Sequence, residues 1–192
     1  MAKIDLPIEQ AARLLAPGPV TLVTSAYRDR VNVLTVGWVS VASFRPVLVS
    51  IAIFPGTFSH DLIRSSGEFV INIPPWDIVR QVRYCGRVSG RDVDKFAVSG
   101  LRPEEPRYVR APHIEQCIGH LECAVVEAVT PGDHTLFIGE VVAARVEEDL
   151  FDGYWLIREE RDLRPLHHLG GDFYGVLAER TAIREGEESA QG

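Results

Sequence analysis

The stretch Val20-Thr-Leu-Val-Thr-Ser-Ala-Tyr-Arg-Asp-Arg-Val-Asn-Val-Leu-Thr-Val-Gly-Trp-Val-Ser-Val41 alternates β-branched with other residues on both sides of a polar turn. Residues 20–25 read as one strand, Tyr27-Arg-Asp-Arg30 as the turn and residues 31–41 as the return strand of an antiparallel hairpin. Gly37 interrupts the return strand, as happens where a ligand or another backbone approaches closely. Taken alone, the neighbouring Trp38 reads as a core residue.

Outward from the hairpin, Ile8, Ala11, Ala12, Leu14 and Leu15 lie at helical spacing, and Pro17-Gly18 ends that short amphipathic helix. Val47-Leu-Val-Ser-Ile-Ala-Ile-Phe54 is apolar on both faces, the mark of a covered strand, and Pro55-Gly56 stops it. A helix over 59–66 with Gly67 as its stop, a strand over 69–73 and a helix near 78–84 follow. Residues 121–129 and 136–146 alternate as strands around Thr130-Pro-Gly-Asp-His134. Strands outnumber helices and are joined mostly by short turns. A mainly β, six-stranded antiparallel barrel with peripheral helices is therefore more economical than a doubly wound parallel sheet. One domain is expected over residues 1–178, with 179–192 as a polar, disordered tail.

The 192 residues are 46% hydrophobic and 24% charged, an ordinary globular composition. Lys and Arg number 20 against 27 Asp and Glu, and the net charge of −7 argues against nucleic acid or an anionic membrane as partner. The apolar runs fall short of the roughly 20 residues of a membrane span, and no secretory leader is visible, so a cytoplasmic location is expected. Cys85, Cys117 and Cys123 are odd in number and lack a Cys-x-x-Cys spacing, which points to reduced, packed thiols. Phosphate-binding and dinucleotide-binding glycine motifs are absent, as is a Gly-x-Ser-x-Gly elbow. His134, Glu140, His167 and His168 suggest no metal site, because adjacent histidines on an extended chain point to opposite faces. No metal is expected.

Between residues 80 and 95, Arg80, Arg83, Arg87, Arg91 and Lys95 outnumber Asp92 and Asp94, a local balance of 5 − 2 = +3 beside Ser89-Gly90. Such a concentration suits a bound phosphate, although a solvated basic helix face has the same composition. Thr57, Ser59 and His60 stand where a helix begins and offer hydroxyls and unpaired amides to an anion; a plain N-cap at Thr57 or Ser59 is the alternative.

Six motifs in order carry a family resemblance: Pro19-Val-Thr-Leu-Val-Thr-Ser, Asn32-Val-Leu-Thr-Val-Gly-Trp, Leu48-Val-Ser-Ile, Gly67-Glu-Phe-Val-Ile-Asn, Ser89-Gly-Arg-Asp-Val-Asp-Lys-Phe and Gly132-Asp-His-Thr-Leu-Phe-Ile-Gly-Glu-Val. Together they resemble the flavin reductase-like, FMN-binding split-barrel family, and within it the flavoredoxin branch, from the first helix to about Leu177. The resemblance implies a six-stranded antiparallel split barrel that forms a homodimer, with FMN held non-covalently near the subunit interface. It also implies roles for residues. Asn32, Thr35, Trp38, Val39 and Ser40 match the segment lining the flavin, Thr57, Ser59 and His60 the phosphate-side loop, and Arg91 and Lys95 its basic contacts. His134, which on spacing alone is a turn or capping residue, matches the catalytic position near the reactive ring. Ser43-Phe-Arg-Pro-Val departs from the family pattern by placing Val47 where a second proline is common. The implied activity passes hydride from NAD(P)H to flavin and then electrons to free flavin, a ferric complex or a redox partner. The alternative is an FMN electron-transfer protein, a flavoredoxin, reduced by a protein partner without nicotinamide activity.

Overall fold

A computed structural model describes residues 4–158, 160–179 and 181. A 3-10 helix, Ile8–Leu15, leads into β1 (Gly18–Pro19), β2 (Thr21–Tyr27), β3 (Arg30–Val36), β4 (Val39–Phe44) and β5 (Val47–Ile53). Then come α1 (Phe58–Ser66), β6 (Glu68–Ile73), α2 (Val79–Arg87), α3 (Lys95–Ser99), β7 (Pro103–Glu104) and β8 (His113–Ile114). Two long strands follow, β9 (Gly119–Val129) and β10 (Thr135–Val146), and the hairpin β11 (Leu166–Gly170) and β12 (Phe173–Val176) comes last. The main sheet is antiparallel with the order β3-β2-β6-β9-β10-β5-β4. It has seven strands where the sequence suggests six.

The added strand comes from the return stretch of the hairpin. Residues 31–41 are not one strand: β3 pairs with β2 at one edge, and β4 pairs with β5 at the other. Gly37 and Trp38 carry the chain between the two edges, so the glycine predicted to mark a close approach marks a change of partner. Because both edges come from one short segment, the sheet rolls toward closure, and Leu34, Val36 and Val39 share a core with Val49, Ile51, Phe69 and Phe137. Every residue of β2 from Thr21 to Ala26 is buried. Its alternate side chains face that interior (Val23) or an outer layer, where Leu22 meets Val82 and Cys85 of α2. Thr57 caps α1 through its hydroxyl, and Gly67, with φ 73°, ends it in the left-handed region that glycine enters without penalty.

Leu166–Gly170 and Phe173–Val176 form a hairpin that pairs with Gly18–Pro19 and adds a small sheet the sequence reading lacks. Most of the polar segment after residue 178 lies outside the described residues. Among the described residues, no helix is long and apolar enough to cross a membrane. The three cysteines are free and buried, and burial pushes the Cys85 thiol up to about 11 and the Cys123 thiol to about 12, as inert packed thiols require.

Candidate functional site

At the crossing from β3 to β4, the chain leaves a cavity of about 400 Å³ against the start of β10. Leu34 to Trp38 form one wall, Ala52 to Phe54 with Thr57 another, and His134 comes from the turn before β10. Ala12, Arg13 and Leu15 of the first helix, Ala16 after it, and Gly170-Gly171 of the last hairpin complete the rim. Three rings meet here. The His134 imidazole lies 4.7 Å from the Trp38 ring and 5.7 Å from Phe54, centroid to centroid. Trp38 is 57% exposed, so it is not the core residue that its size alone suggests. Asp133 holds Nδ1 of His134 at 2.7 Å, which leaves Nε2 to meet a ligand.

The electrostatics of this lining are distinctive. It contains Arg13, His134 and His168 and no carboxylate, in a chain whose acids outnumber its basic residues. A larger cavity, about 620 Å³, lies between Arg30, Arg91 and Arg110, but Asp29, Asp92 and Asp94 offset those charges.

Of the residues singled out in the sequence, Thr35, Trp38, Thr57 and His134 are brought together in the first cavity. The Thr35 hydroxyl donates to the Val82 carbonyl and Thr57 caps α1, so both are held in place. Asn32, Ser59 and His60 lie behind this wall, all buried. Asn32 Nδ2 donates to Ser59 Oγ at 2.9 Å, and Ser25 Oγ donates to the same oxygen at 3.2 Å. A Cβ on Gly90 would sit 2.0 Å from Asn32 Oδ1, so only glycine lets the 89–91 turn close over the amide. His60 Nε2 lies 2.9 Å from Thr135 Oγ1, and burial, opposed by Asp61, holds its imidazole below the ordinary range. Val39 and Ser40 lie in the edge strand β4, beyond the cavity lining.

The basic contacts need correction. Lys95 is 3% exposed, and its ammonium donates to the Val33 carbonyl at 2.9 Å and the Cys85 carbonyl at 2.7 Å. It ties α2 and α3 to the sheet and lines neither of these two cavities. The composition of residues 80–95 could not reveal this, because a lysine turned inward and one turned outward contribute the same charge. Arg91 pairs with Asp61 at 2.5 Å over the Phe58 ring and lines the larger cavity. Arg83 and Arg87 both pair with Asp172 at the last hairpin. Arg13, Phe54 and His168 were not singled out as site residues in the sequence. The 3-10 helix of Arg13 is exposed throughout, and the only signal it offered was its amphipathic pattern.

The chain belongs to the flavin reductase like domain family, whose model matches residues 13–176. It is 38% identical over 141 residues to an uncharacterized protein of Pyrococcus abyssi, spanning 73% of this chain and 81% of that protein. Its fold is similar to that of the flavoredoxin from Methanosarcina acetivorans, with TM-score 0.84, 26% identity and 98% of each chain covered. It is also similar to the FMN-binding protein from Thermus thermophilus solved with 1-cyclohex-2-enone, with TM-score 0.79, 29% identity and 96% and 98% of the two chains covered.

Proposed function

We propose that this chain binds FMN in the 400 Å³ cavity and is an oxidoreductase that passes hydride from a reduced nicotinamide to the flavin, for delivery to free flavin, a ferric complex or a redox partner. The observation that carries the reading is the lining itself. Trp38, Phe54 and His134 offer apolar and aromatic faces to a flat ring, and Arg13 with two imidazoles suits an anion. The N-terminus of α1, which begins beside Thr57, adds a favourable dipole for a phosphate. Bound FMN supplies a ring that accepts electrons in pairs and releases them singly or in pairs.

The chain's own contribution is orientation and electrostatics. His134, fixed through Nδ1 by Asp133 and flanked by Trp38 and Phe54, holds Nε2 as a hydrogen-bonding group at the cavity wall. It orients a nicotinamide against the ring without itself taking the hydride. His134→Ala is expected to slow NAD(P)H-driven bleaching of the bound flavin about 10-fold while FMN affinity changes less. Anaerobic stopped-flow absorbance with NADH, then NADPH, measures this directly. An unchanged rate with flavin fully bound would reduce His134 to a turn residue.

The likeness to a flavoredoxin over 98% of the chain favours a second reading, an FMN carrier reduced by a protein partner. A yellow protein that neither nicotinamide bleaches would select it.

The edge strand β4 supports a homodimer. Val41 and Phe44 in β4, with Trp38 just before it and Val47 just after, are all exposed, an apolar stretch at an unpaired sheet edge beside the cavity. Sedimentation is expected to give twice the 21.3 kDa chain mass, and Val41→Glu with Phe44→Glu to give monomers. A wild-type monomer at micromolar concentration would reject this assembly.

A further inference from the structure

Away from the flavin cavity, a second cluster forms where the short β7–β8 ladder lies against β9. Glu104 and His113 are direct partners in that ladder, which puts both side chains on one face at about 5 Å. His120 stands near the start of β9, paired across the sheet with Asn72 of β6 and Arg145 of β10. One ligand atom each from Glu104, His113 and His120 lies within 4.8 Å of the other two.

Hydrogen bonding decides which imidazole nitrogens keep a lone pair. Asn72 Nδ2 donates to the Leu22 carbonyl at 2.9 Å and to Thr24 Oγ1 at 3.3 Å, so its Oδ1 is an acceptor. That oxygen receives the Ile114 N–H at 3.0 Å and His120 Nδ1 at 2.9 Å, which places the His120 proton on Nδ1 and the lone pair on Nε2. On His113, Nε2 donates to Glu122 Oε1 at 2.9 Å, and Nδ1 is left buried with no hydrogen-bond partner. A buried polar nitrogen without a partner is costly and calls for an explanation. Both histidines are 6% exposed or less, and each has one nitrogen held by an oxygen acceptor, the outer arrangement that orients metal-binding histidines.

We infer that Glu104, His113 and His120 form a site for a first-row divalent cation of the zinc type, clasping the segment from β7 to β8 onto the barrel. Two imidazoles and one carboxylate are the borderline donor set that zinc accepts, with water completing the coordination. The site has to rearrange to load. Glu104 accepts from Arg145 at 2.7 Å, and the two imidazole rings are stacked, 4.5 Å apart and 6° from parallel. In-plane lone pairs of parallel rings do not meet at one ion, so one ring tilts and Glu104 turns from Arg145 on binding. That reorganisation costs part of the binding free energy.

The test uses the full chain without an affinity tag, stripped with a chelator, dialysed and titrated with Zn(II) against a chromophoric competitor. One zinc per chain is expected, with Tm rising by roughly 5 °C at a hundredfold excess over Kd. Glu104→Gln and His120→Gln are each expected to weaken zinc about 10-fold or more, while His167→Gln leaves it unchanged. Glu104 is half-buried and pairs with the exposed Arg145, so its variant reports on the site even where His120→Gln fails to fold. Substoichiometric zinc, or wild-type affinity in Glu104→Gln, would overturn the inference.

Discussion

Lys95→Ala is expected to lower the stability of the fold by about 3–5 kcal/mol while leaving the ratio of FMN to riboflavin affinity unchanged. The Cys85 carbonyl lies in the last turn of α2, among those a helix cannot satisfy internally, and Lys95 Nζ supplies the missing donor. The same ammonium also bonds the Val33 carbonyl of β3, so one charge fastens helix to sheet. Truncation leaves two buried carbonyls without partners and a void where the aliphatic stem packed. Burial already holds the Lys95 ammonium below its ordinary pKa, so its solvation is poor, and the two carbonyls stand in for the water it has lost. Urea denaturation followed by circular dichroism measures the loss, and separate titrations with FMN and riboflavin measure the ratio. A variant of wild-type stability that loses FMN and keeps riboflavin would return Lys95 to the phosphate.

That reversal shows where the sequence stops being informative. Strand alternation in residues 20–25 and 136–146 was plain, and the caps at Thr57 and Gly67 stood where the residue types required them. The split between β3 and β4 was not legible, because side chains keep a two-residue period across Gly37 and Trp38 although the strand changes partner. His167-His168-Leu-Gly-Gly gave no strand signal, since its pairing with β12 and Gly18–Pro19 rests on backbone contacts between distant segments. Nothing in spacing alone brings Trp38 to His134. Only the ordered motifs linked them, and the fold supplies the physical reason, with β10 pairing along β5 at Thr135 and Ile53. The Glu104, His113 and His120 cluster is illegible in the sequence for the same reason. Its members sit on three strands, and the sequence directed attention to the adjacent histidines instead.

Glu122→Ala is expected to cost about 3–5 kcal/mol, a fall in Tm of roughly 6–20 °C, because this carboxylate organises a whole loop. It is 2% exposed, in the middle of β9, where an unpaired charge would not survive. Its two oxygens accept the backbone N–H groups of Arg107 at 2.8 Å, Tyr108 at 2.6 Å and Val109 at 3.2 Å, together with Nε2 of His113. Burial pushes its carboxyl up, yet these donors prevail and hold it below the ordinary carboxylate range. Three successive amides aimed at one side chain mean that residues 107–109 take their shape from Glu122 rather than from a regular element. Removing it orphans four donors at once, whereas Glu122→Gln keeps the shape and one acceptor oxygen and is expected to lose less. Thermal unfolding ranks the three proteins, and amide hydrogen exchange at 107–109 locates the damage. Equal stability of wild type and Glu122→Ala would mean that water replaces the carboxylate and that the loop holds itself.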